Sequence, residues 1–457
     1  MDALAIATGR NEERMMEQAS IKKHVPPDRL HESATAASML SRTQIKMLGV
    51  AMLGGALEYY EFVIFGLMVP TLSRVFFSSA TEPWFSTLQT LAVFAVGYMV
   101  RPIGGIFLSA MGDRLGRKRM FIVTLALMAT PTMLIGLLPT YAQIGILSPL
   151  LLLACRLCQG LAMGGEIPSA LTFVVEHVPE RRTGFSIGLM GSGLAAGMLV
   201  GIATVTAISH GFSKEAVLAY AWRIPFVLGG MFGLVSAALR RFAAETPVFI
   251  EMAARKSMNR STPIRELLTT ARPELLIALL ASLAGNGIVQ TAMVFPATFL
   301  QTGLHLPAAV AHNAETGLIF ASVFSIALGG WLMDRFGWTK CIAFTAIGLI
   351  AALVHAYATP TPQNIGFNMT LVGIPCAMTV MLNTHLVRVF PAQIRITGIS
   401  VAHNIATAIV GLLPILMGIL THFEPRAMIF VPGAFALLAV AITPVAIRYR
   451  KPLAFHT

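Results

Sequence analysis

The chain has 457 residues, of which 56% are hydrophobic and 12% charged, and its formal net charge at pH 7 is +12. A soluble globular protein carries about 25% charged residues, so this composition excludes the soluble classes and indicates a protein embedded in a lipid bilayer. The basic residues lie in short loops between apolar stretches, whereas a nucleic-acid-binding protein presents a continuous basic surface, so we expect no nucleic-acid partner.

Residues 1–46 come first and are mostly polar, with Pro26 and Pro27 among them. They contain no apolar stretch of the length that a signal peptide needs. We therefore interpret residues 1–46 as a cytoplasmic tail with little regular structure, and not as a cleaved signal.

Twelve apolar segments follow. Each is close to the length of about 20 residues that an α-helix needs to cross the hydrocarbon core. They cover approximately residues 47–71, 84–110, 120–138, 145–172, 184–207, 222–240, 274–300, 313–333, 341–359, 364–387, 397–420 and 428–448. Several contain proline, which a membrane helix tolerates because neighbouring helices satisfy the freed carbonyl groups. The sequence thus predicts an all-α membrane protein with twelve transmembrane helices.

Lysine and arginine concentrate in alternate loops between these segments. One set of loops contains Arg114, Arg117, Lys118, Arg119, Arg181, Arg182, a cluster from residue 240 to 272, Arg335, Lys340, Arg388 and Arg395. The other set offers only Arg74, Lys214 and Arg426. The excess of positive charge predicts that the first set and both termini are cytoplasmic, in a multi-pass protein of the cell inner membrane. Four tryptophans fall at predicted helix ends, as interfacial indoles do: Trp84, Trp222, Trp331 and Trp338.

The second part of the chain repeats landmarks of the first. Asp113-Arg114-Leu115-Gly116-Arg117-Lys118 follows the second predicted helix, and Asp334-Arg335-Phe336-Gly337 follows the eighth. Similar Thr-Gly motifs, Thr183-Gly184 and Thr397-Gly398, lie after the fourth and tenth helices. Matched landmarks in the same order indicate two pseudo-symmetric six-helix halves. We assign them to residues 47–240 and 274–448, joined by a cytoplasmic linker, 241–273, and followed by a short cytoplasmic tail, 449–457.

Several motifs carry a resemblance to a known family. They are Leu57-Glu58-Tyr59-Tyr60-Glu61-Phe62, Arg101-Pro102-Ile103-Gly104-Gly105, Gly112-Asp113-Arg114-Leu115-Gly116-Arg117-Lys118, Arg156-Leu157-Cys158-Gln159-Gly160, Trp222-Arg223-Ile224-Pro225-Phe226 and Glu245-Thr246-Pro247-Val248-Phe249. With them the chain resembles the major facilitator superfamily, and within it the metabolite:proton symporters that carry citrate, 2-oxoglutarate, shikimate, or proline and betaine. It departs from the pattern at Glu61, where the family usually has Asp, and at Trp338 and Thr339, which replace a basic pair.

The resemblance implies a secondary active transporter that works by alternating access. We expect proton-coupled uptake of a small organic acid or zwitterionic metabolite by a monomer that uses no cofactor. An exporter of the same fold and a non-transporting membrane sensor remain as alternatives.

Three charged residues lie near the predicted bilayer midplane, where an ionised side chain is costly and therefore a functional candidate. Glu58 and Glu61 share one face of the first helix, at the depth where the fourth helix carries Arg156. We predict that at least one carboxylate, Glu61 before Glu58, exchanges a proton during transport. A static buried ion pair with Arg156 is the alternative.

Further polar residues within predicted helices are candidates for substrate binding. In the first half these are Arg156, Gln159 and Arg101, and in the second half Asn286, Gln290, Asn383 and Asn404. Arginine suits a carboxylate, and the amides can orient a substrate by hydrogen bonds. The alternatives are structural pairing for Arg101 and interhelical hydrogen bonds for the amides.

The loop after the second helix provides the predicted gating residues Asp113, Arg114, Gly116 and Arg117. The resemblance implies that this loop forms a latch between the halves. An anion near a helix N-terminus contributes about 0.3 to 1 kcal/mol, a suitable size for a contact that breaks in every cycle. The alternative is a loop that only sets topology.

Catalytic chemistry has little support in the sequence. Cys155 and Cys158 form a C-x-x-C within an apolar helix, without a second ligand pair, so we expect packing and no metal. Gly184-Phe185-Ser186-Ile187-Gly188 matches G-x-S-x-G, but the strand-turn-helix context of a nucleophilic serine is missing. We expect no enzyme activity.

Overall fold

The computed structural model describes residues 40–78, 82–242, 245–254, 263–451 and 453. The chain forms two compact units, residues 1–45 and 46–457, and of the first only residues 40–45 are described. Most of the predicted tail, residues 1–39, lies outside the described residues, as do residues 243–244 and 255–262 of the predicted linker and 454–457 at the end.

Twelve helices in the described part of the chain are long and apolar enough to cross a membrane, as predicted. We number them in chain order: α1 Arg42–Phe76, α2 Phe85–Leu115, α3 Arg117–Leu137, α4 Leu147–His177, α5 Glu180–Gly211, α6 Arg223–Arg240, α7 Arg272–Thr302, α8 Ala309–Phe336, α9 Trp338–Ala358, α10 Ile365–Val389, α11 Ala392–Phe423 and α12 Ala427–Arg448. The all-α fold class is confirmed, since no strand occurs in the described ranges.

Three helices of the second half are irregular where they carry proline. In α7 a π-helical segment, Val289–Val294, precedes Pro296. In α10 a 3-10 turn, Pro375–Ala377, divides the helix, and α11 is interrupted between Val410 and Leu413, just before Pro414. Proline removes a backbone donor and clashes with the preceding turn, so these irregularities have a local cause.

Glycine lets α2 and α4 pack backbone against backbone. A Cβ atom on Gly160 would lie 2.2 Å from the carbonyl oxygen of Gly97, and one on Gly104 would lie 2.1 Å from that of Leu161. Such close approach is typical of membrane helices, which associate through small residues.

Glycines of α5 allow this helix to pack closely against two neighbouring helices, α1 and α8. Gly193 and Gly197 pack against the backbone of α1, in the same half, at Met52 and Ala56. Near its other end, Gly184 contacts Gly330 of α8, which belongs to the second half. An equivalent contact joins α2 to α11, where Ser400 and Asn404 lie against Gly105. The two halves therefore meet through α5 with α8 and through α2 with α11, which are equivalent pairs in the repeat.

An even number of spans brings the start of α1 and the end of α12 to the same side of the helix layer. This side also carries the short loops after α2, α4, α8 and α10, and we call it the basic face after Lys46, Arg117, Arg240, Arg335, Arg395 and Arg448. Trp222, near the opposite face, was predicted to be an interfacial indole. It does lie at a helix end, directly before α6, but its side chain is fully buried against Phe76 and Phe226 and is not exposed as an interfacial indole would be.

The crossing of α2 and α4 can be tested at Gly160. We expect Gly160→Ala to destabilise the protein by about 1 to 3 kcal/mol, because the new methyl group would overlap a neighbouring backbone. Thermal unfolding in detergent measures the loss. Gly66→Ala is the matched control, since a Cβ there would meet nothing within 4 Å. Equal melting temperatures for both variants would contradict the close packing.

Candidate functional site

Two adjacent spaces lie between the halves, near the middle of the helices. The first, of about 80 Å³, is bounded by α1, α2, α4, α7 and α11, and the second, of about 70 Å³, extends towards α5 and α10. Tyr59, Ile167, Asn286, Val289 and His403 line both. We call them together the central cavity. Its position between two repeated halves is where transporters with this kind of repeat bind their substrates.

One ion pair faces the central cavity. Arg101 of α2 contacts Glu58 of α1, with 3.0 Å between Nη2 and Oε1. Both side chains are buried, yet Oε2 of Glu58 and Nε of Arg101 have no hydrogen-bond partner among the described residues. Tyr98 lies beside the guanidinium, whose central carbon is 5.6 Å from its ring centre. The pair therefore keeps unused hydrogen-bonding capacity at the edge of the cavity.

Glu61 belongs to a separate cluster inside the first half. Its carboxylate accepts hydrogen bonds from the hydroxyl of Thr132 and, at 3.0 Å, from Nε2 of Gln159. Arg156 donates to Oε1 of Gln159 at 3.0 Å and lies 3.5 Å above the ring of Phe65. We predicted that a carboxylate of α1 lies beside Arg156. In the structure Gln159 lies between Glu61 and Arg156 and hydrogen-bonds to both, whereas the direct arginine partner of Glu58 is Arg101.

Aromatic residues separate this cluster from the central cavity. Glu61, Arg156 and Gln159 line a third space of about 10 Å³, within the first half. Phe62 and Tyr98 line both that space and the central cavity, and their ring centres are 5.9 Å apart. The two carboxylates of α1 therefore lie in different chambers on either side of this aromatic pair.

The second half contributes uncharged polar groups to the central cavity. Asn286 and Gln290 line its first space and Asn383 its second. The amide of Asn286 also donates to the hydroxyl of Thr407 at 2.9 Å. His403, which was not among the predicted binding residues, lines both spaces, and its Nδ1 has no hydrogen-bond partner in the part of the chain that the structure describes.

Asn404 lies outside the lining of the central cavity. Its amide donates to the carbonyl oxygen of Gly164 at 2.8 Å, which joins α11 to α4 of the other half. Successive helix residues differ in direction by about 100°. Sequence could therefore indicate a polar position in α11 without deciding whether His403 or Asn404 faces the cavity.

At the basic face, the predicted gating residue Asp113 joins the halves. Its carboxylate accepts hydrogen bonds from the backbone and side chain of Thr397, at 2.9 and 2.8 Å, at the start of the regular part of α11. Arg117 lies 3.4 Å from the same carboxylate and donates to the carbonyl oxygen of Ala392 at 2.6 Å. A helix N-terminus and an arginine thus converge on one anion.

The second half repeats this contact in the opposite direction. Asp334 accepts hydrogen bonds from the backbone amides of Gly184 and Phe185, both at 2.8 Å, at the start of α5. The turns next to the two aspartates contain Gly116 and Gly337, with φ of 116° and 89°. These values favour glycine. Arg114, the remaining predicted gating residue, has an exposed side chain.

Additional ion pairs close the basic face, and sequence did not single them out. Glu176 of α4 contacts Arg395 at 2.7 Å and Arg117 at 3.4 Å. Nearby, Arg388 donates to the carbonyl oxygen of Glu180 at 2.9 Å. The only signal was the charge of the repeated loops, which cannot identify partners across the halves. Together with the aspartate contacts, these pairs close the central cavity towards the basic face.

The family model described as Major Facilitator Superfamily matches residues 51–372. The proline/betaine transporter of Salmonella typhimurium is 31% identical over 410 residues, which cover 87% of this chain and 81% of the relative. The ectoine/proline transporter of Corynebacterium glutamicum is 32% identical, and the match covers 88% and 83%. The glycine betaine/proline/ectoine/pipecolic acid transporter of Dickeya dadantii is 30% identical, and the match covers 87% and 81%.

Solved structures of other transporters have a similar fold. The proton:xylose symporter bound to 6-bromo-6-deoxy-D-glucose matches with a TM-score of 0.74 and 16% sequence identity, covering 88% of this chain and 95% of the symporter. A transporter solved in the outward conformation, FucP, matches with a TM-score of 0.64 and 17% identity, covering 89% and 99%. At these identities the similarity concerns the fold alone.

The closing role of Asp113 can be tested with a cysteine reporter. Ser400 is buried between the halves, so Ser400→Cys in a background without the native cysteines reports opening of the basic face. We expect Asp113→Asn to raise the labelling rate about fivefold, because losing a contact of about 1 kcal/mol shifts the population towards the open form. Asp334→Asn is expected to act similarly, and the exposed Glu215→Gln serves as control. If both variants are labelled at the unchanged rate, the aspartates do not hold the basic face closed, and the charged turn only sets the membrane topology.

Proposed function

The chain belongs to the major facilitator superfamily, and from this premise we propose that it takes up a small zwitterionic metabolite together with protons by alternating access. Transport, and not enzymatic catalysis, is the activity of its transporter relatives. The observation that supports a zwitterionic substrate is the Glu58–Arg101 ion pair at the edge of the central cavity.

A zwitterion fits this pair because it can replace both partners at once. Its carboxylate would bind Arg101 and its ammonium group Glu58, so neither buried charge loses a counter-ion on binding. Tyr59, Phe62 and Tyr98 also line the cavity, and aromatic faces attract substituted ammonium groups. Proline and betaine, for which several relatives are named, are zwitterions of this kind. A dicarboxylate would satisfy Arg101 but would be repelled by Glu58.

The other predicted residues complete the proposal. Asn286, Gln290 and Asn383, with His403, would hydrogen-bond the substrate from the second half. Because the central cavity lies between the halves, a substrate held from both sides would favour their closure around it. Asn404 would instead act in closing the basic face, through its hydrogen bond across the halves.

For proton coupling, we propose Glu61 as the group that is protonated and released. Among the described residues no arginine lies within hydrogen-bonding distance of Glu61, and Gln159 transmits its contact with Arg156. A proton on Glu61 would remove its negative charge and turn one oxygen into a donor, which weakens the contact with Gln159 and so changes the position of Arg156. Tyr98 and Phe62 lie between this cluster and the central cavity, so a movement of Arg156 would shift these rings against the substrate.

Opening towards the basic face requires breaking the contacts of Asp113 and Asp334 with helix N-termini. Each is worth about 0.3 to 1 kcal/mol, and water can replace the carboxylate once the halves separate. We assign the basic face to the cytoplasm because of its excess of lysine and arginine, which places both termini inside. The protein would function as a monomer in the inner membrane, in contact with lipid.

Proton coupling through Glu61 can be tested in proteoliposomes. We expect Glu61→Gln to abolish uphill uptake of radiolabelled proline or betaine and to retain exchange, because the amide resembles the protonated acid but cannot release a proton. One proton entering down 100 mV supports about 50-fold accumulation, which the variant would lose. Exposed Glu215→Gln is the control. If Glu61→Gln and Glu58→Gln both retain full uphill uptake, neither carboxylate is the group that carries the proton.

Substrate binding at the ion pair predicts losses of affinity. We expect Arg101→Lys and Glu58→Gln each to weaken binding about 10- to 100-fold, since a charge-assisted hydrogen bond contributes about 1.5 to 3 kcal/mol. Thermal-shift titration with betaine, proline and 2-oxoglutarate measures this. Glu166→Gln, which breaks a buried pair with Arg240 away from the cavity, is expected to lower stability without changing affinity. Stabilisation by 2-oxoglutarate alone would favour an organic acid instead.

Topology can be tested with reporter fusions. A reporter that is active only in the cytoplasm is expected to give signal after Lys118 and none near Lys214, because these positions lie at the basic and opposite faces. The reversed pattern would reverse the proposed orientation.

A further inference from the structure

A large groove lies on the surface of the second half that faces away from the central cavity, between α8, α9 and α10. Its volume is about 710 Å³, far above that of the central cavity. We call it the lateral groove and define it by Leu328, Phe336, Lys340, Phe344, Gly348 and Ile374. Its rim is exposed and apolar, with Phe344 79% exposed. Because these helices span the membrane, the groove opens towards hydrocarbon and not towards water.

The groove has the length of one lipid acyl chain. It runs along α9 from Lys340 to Ala352, a distance of about 18 Å at 1.5 Å per residue. One leaflet of the hydrocarbon core is about 15 Å thick, half of the total. The groove begins at the basic face, so it matches the leaflet on that side.

Positive charge lies at the basic-face end of the groove. Lys340 is exposed and sits in the first turn of α9, where the helix N-terminus also favours an anion. Arg335 lies close by, with its guanidinium carbon 5.7 Å from the ring centre of Phe336. Among the described acidic side chains, none forms an ion pair with Lys340.

We propose that the lateral groove binds one acyl chain of an anionic phospholipid, whose phosphate contacts Lys340. The apolar walls would hold the chain, and the lysine with the helix N-terminus would select a negatively charged headgroup. An amphiphile of this shape satisfies both parts of the site, whereas water would leave the apolar walls unsatisfied. The proposal is independent of the substrate and of proton coupling.

Native mass spectrometry of the delipidated, detergent-solubilised protein tests the groove. Titration with phosphatidylglycerol is expected to show one retained lipid that Gly348→Phe removes. A Cβ on Gly348 would lie 3.6 Å from the Cβ of Pro375, an ordinary contact, so the ring can occupy the groove without displacing backbone. Gly418→Phe is the matched control, because a Cβ there meets nothing within 4 Å. Equal retention by both variants would overturn the site.

The headgroup is tested separately with Lys340→Gln, which leaves the packing of the groove intact. We expect it to weaken phosphatidylglycerol binding about fivefold, the effect of removing one basic residue, and to weaken phosphatidylcholine binding less, because the choline ammonium partly offsets the phosphate charge. Lys214→Gln, on the opposite face, controls for general loss of charge. Equal binding of the two lipids by the unmodified protein would refute selection of an anionic headgroup. A dimer that Gly348→Phe dissociates would assign the groove to a second copy instead.

Discussion

Charge buried among membrane helices is the constraint on which the rest of this structure depends, because such a charge is stable only beside a partner. The Glu58–Arg101 pair joins α1 to α2, and the pair of Glu166 with Arg240 joins α4 to α6. Arg156 is stabilised differently: it donates a hydrogen bond to Gln159 and lies over the aromatic ring of Phe65. Each charge therefore determines which helices pack together and which side chains must accompany it.

These contacts divide into those within a half and those between halves. Glu166, Arg240 and Thr124 all belong to the first half, so their hydrogen bonds persist whenever that half moves as a unit. Asp113 and Asp334 instead bind backbone amides of the other half. A carboxylate at a helix N-terminus contributes little energy and is readily replaced by water. The interface can therefore open at modest cost while each half stays intact.

Phe62 and Tyr98 form an aromatic wall that gives the two carboxylates of α1 different surroundings, although these are only three residues apart. Glu58 faces the central cavity beside Arg101, and Glu61 lies behind Phe62 and Tyr98 with uncharged partners. A group in the cavity can respond to a substrate directly, whereas a group behind the wall responds only through its neighbours. This separation is the physical basis for assigning substrate binding to one carboxylate and proton exchange to the other.

The sequence by itself determined the twelve helices and the correspondence between loops, because span length, charge bias and repeated motifs are local properties of the chain. It also indicated that Asp113 has a counterpart at Asp334, but it placed Asp113 in a loop, whereas both aspartates lie in the last turn of a helix, α2 and α8. Tertiary structure alone decided the partners: Arg101 for Glu58, and Gln159 between Glu61 and Arg156. Those pairings depend on helix rotation and crossing, where a shift of one residue turns a side chain by about 100°, and no local pattern encodes that angle.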